Sequence, residues 1–221
     1  MKLGVLFSGG KDSTLAAWIA KKERYKLSCL ITLESENKES FMFHTPSIVK
    51  TKVQADSLGI PLIIQKTKGD KEIELNDLKI ALQKAKESYG IEGVITGAVE
   101  SVYQASRIQK ICNELELEVF NPLWQKPQEE LVLELIKEKF EVIIVGVFAY
   151  PLTKDWIGKK LDRCLLGSLR LIKEKWGISV AGEGGEYESF VVNCPLFKNP
   201  LKVKDIQTSG EGNSWRGEIV L

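Results

Sequence analysis

The chain has 221 residues, and its 31 basic and 30 acidic side chains leave a formal net charge of +1. That balance gives no general attraction for nucleic acid or an anionic membrane, and 43% hydrophobic residues exclude an intrinsically disordered chain. A chain of this size buries roughly 70% of its unfolded surface, enough for one large domain or a core domain with a smaller companion.

Residues 3–7 form an apolar run that stops at Ser8-Gly9-Gly10 and reads as a first strand. It is too short for the apolar part of a signal peptide. Leu15, Ala16, Trp18, Ile19 and Ala20 then supply a helical face. Residues 27–33 read as the second strand, 48–58 as a helix, 60–64 as the third strand and 73–89 as a charged amphipathic helix. A fourth strand over 94–96, a helix over 101–115 and a fifth strand over 118–120 continue the alternation. Repeated units of this length imply an α/β fold, a Rossmann-like parallel sheet with helices on both faces.

The pattern changes after that. Pro122 and Pro127 bracket a linker, with Pro127 suited to opening a helix over 128–139. The longest apolar stretch, 142–149, falls well short of the ~20 residues that cross a bilayer, so a buried strand over 141–148 is expected. Trp156, Leu161, Leu165, Leu169, Ile172 and Trp176 mark a helical stripe over 155–176. From residue 188 onward, short β-prone runs alternate with turn residues, as in antiparallel strands. The boundary is expected at 126/127: a nucleotide-binding domain over 1–126 and a smaller α+β domain over 127–221. Cys29, Cys112, Cys164 and Cys194 form no C-x-x-C pair and read as reduced, mostly buried thiols of a cytoplasmic protein.

Ser8-Gly9-Gly10-Lys11-Asp12-Ser13 lies between the first strand and the first helix. Helix N-termini present unpaired N–H groups and a partial positive charge, and glycines let phosphate come close. Ser8, Ser13 and Lys11 add donors and charge, while Asp12 needs an N–H group or Mg²⁺ beside it to sit near phosphate. A Walker loop ending in Gly10-Lys11 would need glycine where Val5 stands. A dinucleotide fingerprint from Gly182 would need it where Tyr187 stands. SGGKDS after an N-terminal strand resembles the PP-loop of the N-type ATP pyrophosphatases. That resemblance implies ATP cleavage between the α and β phosphates, giving AMP and pyrophosphate.

Three stretches narrow the choice. The segment from Thr96 to Ser101 ends a strand and opens a helix on which Tyr103 and Arg107 share a face, with Gln104 beside them. Ligands of open parallel sheets bind where strands end, so Arg107 and Gln104 suit a carboxylate or phosphate. Glu183, Glu186 and Glu188 lie among glycines and Tyr187, poor material for a packed strand and suited to holding a cation or taking a proton. Phe41-Met42-Phe43-His44-Thr45-Pro46 is apolar for a connection and holds the one histidine of the chain, a candidate for substrate binding.

MFHTP, GAVESVYQASR, NPLW at 121–124 and GEGGEYESFVVNCPLF together resemble the diphthine–ammonia ligase (diphthamide synthetase) family over nearly the whole chain. The resemblance implies that ATP adenylates the carboxylate of diphthine on elongation factor 2 and that ammonia then displaces AMP to give the diphthamide amide. Eukaryotic members are expected to carry extra C-terminal domains, and a chain ending at Leu221 resembles the short, archaeal-type form that uses free ammonium. Ser8, Gly9, Gly10, Lys11 and Ser13 are assigned to the phosphates, Asp12 to the loop or Mg²⁺, and Thr32 and Gly97 to the nucleoside border. Arg107 and Gln104 are assigned to the acceptor carboxylate or α-phosphate. Tyr187 with Glu183, Glu186 or Glu188 is assigned to the quaternary ammonium of diphthine, or one of these glutamates to deprotonating ammonium. A tRNA-modifying adenylating PP-loop enzyme and a non-catalytic nucleotide sensor remain as alternatives. No membrane and no direct nucleic-acid partner are expected.

Overall fold

The computed structural model describes residues 1–35, 50–68 and 71–221, side chains 35 and 71–73 excepted. Leu3 and Val5 of strand β1 (Lys2–Leu6) are fully buried because β1 lies at the centre of a five-stranded parallel sheet. The other strands are β2 (Lys26–Ser35), β3 (Leu62–Thr67), β4 (Gly93–Ile95) and β5 (Glu118–Phe120), in the order β3-β2-β1-β4-β5. The chain steps outward from β1 to β3, then crosses back to place β4 against the other edge of β1. This reversal opens a crevice at the carboxyl ends of β1 and β4. Helices α1 (Lys11–Lys22), α2 (Thr51–Leu58), α3 (Lys71–Tyr89) and α4 (Val102–Glu114) make the connections. The parallel sheet expected from the alternation is therefore present.

After a turn in which Leu123 is fully buried, α5 (Gln128–Lys137) leads into β6 (Glu141–Val147), and α6 (Arg163–Trp176) leads into β7 (Tyr187–Asn193). β8 (Asp205–Glu211) and β9 (Ser214–Val220) complete an antiparallel sheet ordered β7-β6-β9-β8. After Glu141, β6 carries no polar side chain because it is covered on both faces. Val142, Ile144 and Val147 join the main core, while Ile143 and Val145 pack with Phe190, Val192 and Ile219. One apolar cluster runs from Leu3, Val5 and Leu15 to Leu166 and Val191, so the two sheets share a core.

Two expectations are corrected here. The stripe over 155–176 is not one helix. Lys154–Trp156 is a single 3-10 turn, Gly158 takes φ +83°, and Lys160 bridges to Ile143 before α6 begins. Asp162 starts α6 by accepting the Leu165 N–H at 2.9 Å, an N-cap that the apolar spacing of Trp156 and Leu161 masks. The acidic stretch is not wholly a loop, since Tyr187 and Glu188 open β7. Three cysteines are buried, Cys164 is exposed, and all four are free thiols. Burial lifts Cys29 and Cys112 to about 12, which makes them inert at neutral pH. Among the described residues, no helix is long and apolar enough to cross a membrane.

Candidate active site

The crevice predicted by strand order is a cavity of about 790 Å³. The parallel sheet contributes Phe7 and Ser8 beyond β1, Ile31 and Leu33 from β2, and Thr96 to Val99 beyond β4. The antiparallel sheet closes it with Phe148 beyond β6, Tyr187 to Ser189 of β7, and Ser214 and Arg216 of β9. Enclosure by two sheets that share a core gives the cavity rigid walls.

The segment 8–13 is held by a dense set of hydrogen bonds. Ser8 Oγ lies 3.2 Å from Ser13 Oγ, and the Ser8 N–H donates to the same Ser13 hydroxyl. Helix α1 starts at Gly10 with no side chain of the loop capping it. Instead the Lys11 N–H donates to Ser189 Oγ at 3.2 Å, a hydroxyl supplied by β7 across 178 positions of sequence. Buried Gln54 of α2 ties the same pieces: its Nε2 donates to the Gly9 carbonyl at 2.9 Å and to the Val191 carbonyl at 2.8 Å. Gly9 needs to be glycine there, with φ +78° and a Cβ that would collide with the Gln54 amide.

Gly97 shows why the fourth strand belongs to this site. A Cβ on it would stand 2.7 Å from the Ser13 backbone nitrogen and 2.8 Å from the Asp12 carbonyl carbon. Both are backbone atoms of the helix start, which no side-chain rotation can clear. We expect Gly97→Ala to weaken ATP binding at least tenfold and to lower the melting temperature, as overpacking usually costs about 1–3 kcal/mol. Titration calorimetry with ATP checks it, and unchanged affinity would refute the packing assigned to Gly97.

The electrostatics centre on Lys11, which is 4% exposed. Its ammonium donates to both Asp12 oxygens, at 2.9 and 2.7 Å, and lies 3.7 Å from Glu183 Oε1 and 5.9 Å from the centre of the Tyr187 ring. Burial opposes that charge, but Asp12, Tyr187 and Glu183 outweigh it and raise the lysine above its ordinary range. Burial pushes the Glu183 carboxyl up to about 7 despite Lys11. Burial likewise pushes Glu188 up to about 8, against the lowering effect of Arg216. Two carboxyl groups in one cavity thus titrate near neutrality, as proton-transfer groups need.

Not every residue singled out from the sequence reaches the cavity. Ser8, Gly10, Lys11, Asp12, Ser13, Gly97, Gln104, Glu183, Tyr187 and Glu188 line it. Gly9 lies behind the loop on Gln54, and Thr32 turns its hydroxyl to the Phe7 carbonyl at 2.6 Å, leaving Ile31 and Leu33 to face the space. Glu186 accepts the Ser179 N–H at 2.6 Å and serves the loop before β7. Tyr187 is buried, with its hydroxyl donating to the Val180 carbonyl at 2.8 Å. Arg107 stacks 3.5 Å over the ring of Tyr103, donates to the Tyr103 carbonyl, and does not line the cavity. His44 lies outside the described residues.

Sequence reasoning missed Gln54, Ser189, Phe148 and Arg216. Gln54 carried a signal, because with Thr51, Ala55 and Leu58 it falls on the i, i+3, i+4, i+7 stripe that faces the core. A polar residue in that stripe must find buried partners.

For a metal, among the described residues no three His, Cys, Asp or Glu side chains cluster as a ligand set. The donors fit a cation that takes one carboxylate and completes its shell with phosphate and water, which is the habit of Mg²⁺. Asp12 is a part-exposed carboxylate at the cavity wall.

Comparison with known proteins gives matches over most of the chain. Residues 1–119 match the family model for the diphthamide synthase N-terminal domain, and residues 128–218 match that for its C-terminal domain. The diphthine–ammonia ligase of Rattus norvegicus is 35% identical over 225 residues, covering 92% of this chain and 83% of the rat protein. That of Homo sapiens is 32% identical, again over 92% and 83% of the two chains. The Saccharomyces cerevisiae enzyme is 29% identical over 96% of this chain but only 36% of its own length. The expectation that eukaryotic relatives carry extra C-terminal domains does not hold for all of them, since the match covers 83% of the rat and human proteins against 36% of the yeast one.

Proposed function

The chain belongs to the diphthamide synthase family, and on that premise we propose that it amidates diphthine on elongation factor 2, using ATP and ammonium and releasing AMP and pyrophosphate. The observation that carries this reading is the junction itself. A phosphate-type loop at the sheet's switch point meets, in one cavity, Glu183 of the loop before β7 and Glu188 of β7, whose carboxyls titrate near neutrality.

Ser8, Gly10, Lys11 and Ser13 bind the β and γ phosphates, with the start of α1 contributing its dipole and N–H groups. Gly97 and the Ile31 and Leu33 side chains border the nucleoside. Asp12 would hold Mg²⁺, which when bound neutralises charge on the departing pyrophosphate. The acceptor carboxylate attacks the α-phosphorus and pyrophosphate leaves, giving an acyl-adenylate. Ammonium then gives one proton to a cavity glutamate, and the resulting ammonia attacks the acyl carbon. AMP leaves with the C–O bond electrons, and a second proton passes to solvent as the amide forms. Glu188 suits the first proton because burial holds its pKa close to working pH. Positioning on rigid walls supplies the rest. Residues 1–126 carry the nucleotide and residues 127–221 the acceptor side, yet Gln54 and Ser189 make them one working unit.

The test is a reconstitution with ATP, ammonium and elongation factor 2 bearing diphthine. AMP and pyrophosphate should appear in step with amide. Ser13→Ala and Asp12→Asn should each suppress turnover while the melting temperature stays within a few degrees. ADP as product, or AMP release indifferent to the acceptor, would exclude this function.

A further inference from the structure

We propose that Arg216 of β9, rather than Arg107, binds the acceptor's carboxylate; the inference rests on the amidation reading above. Arg107 is stacked on Tyr103 of its own helix, outside the cavity. Among the described residues that line the cavity, the cations are Lys11 and Arg216. Lys11 stands at the phosphate loop beside Asp12 and Glu183, whereas Arg216 stands on the antiparallel sheet and acts on Glu188. An anionic acceptor group is drawn to a cation, and Arg216 is the cation that the antiparallel sheet supplies to the cavity.

The register explains how Arg216 comes to lie near the reacting centre. Glu188 on β7 and Arg216 on β9 both pair with Gly146 of β6, one from each side. Two strand spacings separate their backbones by about 10 Å, and the residue between them has no side chain to fill the gap. Ser189, next to Glu188, is bonded to the first N–H of α1. The row Glu188–Gly146–Arg216 therefore starts beside the phosphate loop and runs away from it. That arrangement puts the proton acceptor between the nucleotide and the acceptor anion. The guanidinium carbon lies 4.9 Å from the centre of the Phe148 ring, and Phe148 also lines the cavity. Stacking of this kind orients the planar fork, whose N–H edge matches a carboxylate in a way that an ammonium does not.

The experiment follows the adenylation half-reaction without ammonium, as acceptor-dependent exchange of pyrophosphate into ATP. Arg216→Gln should raise KM for diphthine-bearing elongation factor 2 at least 30-fold while KM for ATP moves less than twofold. Added guanidinium ion should restore part of the loss. Arg107→Gln should change both constants less than threefold. An unchanged acceptor KM, with only the later ammonia step slowed, would mean that Arg216 merely serves Glu188 and would overturn the proposal. A larger effect from Arg107→Gln would overturn it as well. Should Arg216→Gln fail to fold, Arg216→Lys keeps the charge and loses the fork. Its acceptor KM should rise at least fivefold, and no rise refutes the role. A parent enzyme without acceptor-dependent AMP release would remove the amidation reading and this inference together, whereas a parent that turns over normally isolates the failure to Arg216.

Discussion

Replacing Glu188 by Gln is expected to cut amide formation about 10²–10⁴-fold, the usual contribution of a positioned general base, while the acceptor-dependent release of pyrophosphate survives. The same change should make the protein more stable at alkaline pH. The folded carboxyl titrates near 8, well above its ordinary value of 4.5, because burial disfavours its charged form. Between those two values the unfolded chain has ionised and the folded one still holds its proton. The stability linked to this group is therefore complete below about pH 4.5 and is lost as pH rises to about 8. Each pKa unit is worth about 1.4 kcal/mol, so the loss reaches a few kcal/mol for a group buried this deeply. Glutamine has no proton to lose. Thermal melts of the two proteins should diverge as pH rises from 5 to 9, the variant melting higher. Parent activity, corrected for the fraction of free ammonia, should climb through pH 8, and that climb should vanish in the variant. Besides burial, the group that acts on this titration is Arg216 from β9. Coincident melting curves would contradict the burial argument. Full activity after neutralising Glu183, Glu186 and Glu188 together would dispose of a glutamate base altogether.

Lys11→Met should be the most damaging single change in the phosphate loop. The ammonium is almost wholly buried and neutralises both Asp12 and Glu183. Removing it leaves the Asp12 carboxylate without that counter-charge at the site where a polyphosphate must bind, so repulsion replaces attraction at the same point. We expect ATP affinity to fall at least 100-fold and AMP formation to fall at least 10³-fold, in line with the loss of a preorganised transition-state donor. Lys11→Arg should rescue little, because a guanidinium is larger and the pocket around Nζ is closed by Tyr187 and Glu183. The variant's Glu183 should also titrate higher, since Lys11 is the charge that lowers it. Calorimetric ATP binding together with single-turnover AMP release checks all of this. An Arg variant with parental kinetics would show that the loop asks only for a positive charge.

The parallel sheet was legible because its signals are local. Short apolar runs alternate with helical stripes, and a glycine-rich turn follows the first strand. The helix over 155–176 was misread for a comparable reason. Trp156 and Leu161 keep helical spacing with the residues after them, yet Trp156 packs against the core from a 3-10 turn and Leu161 from the segment between it and the Asp162 cap. Apolar periodicity records burial, and burial alone does not say which backbone carries it.

What the order of residues determined alone was the chemistry on offer: a serine–glycine–lysine loop between strand and helix, and three glutamates beside a tyrosine near the far end of the chain. Their use was decided in three dimensions. The register of β6 against β7 slips between Ile144 and Gly146, and a slip of one residue exchanges the faces of a strand. Past that irregularity Glu188 lines the cavity beside Tyr187 and Ser189, while Glu186 bonds the Ser179 N–H and the Tyr187 hydroxyl bonds the Val180 carbonyl. Arg216 enters the site only because β9 pairs with β6 at that same glycine. Side-chain direction in a sheet depends on partners distant in sequence, and no local pattern around Trp215-Arg216-Gly217 announces it.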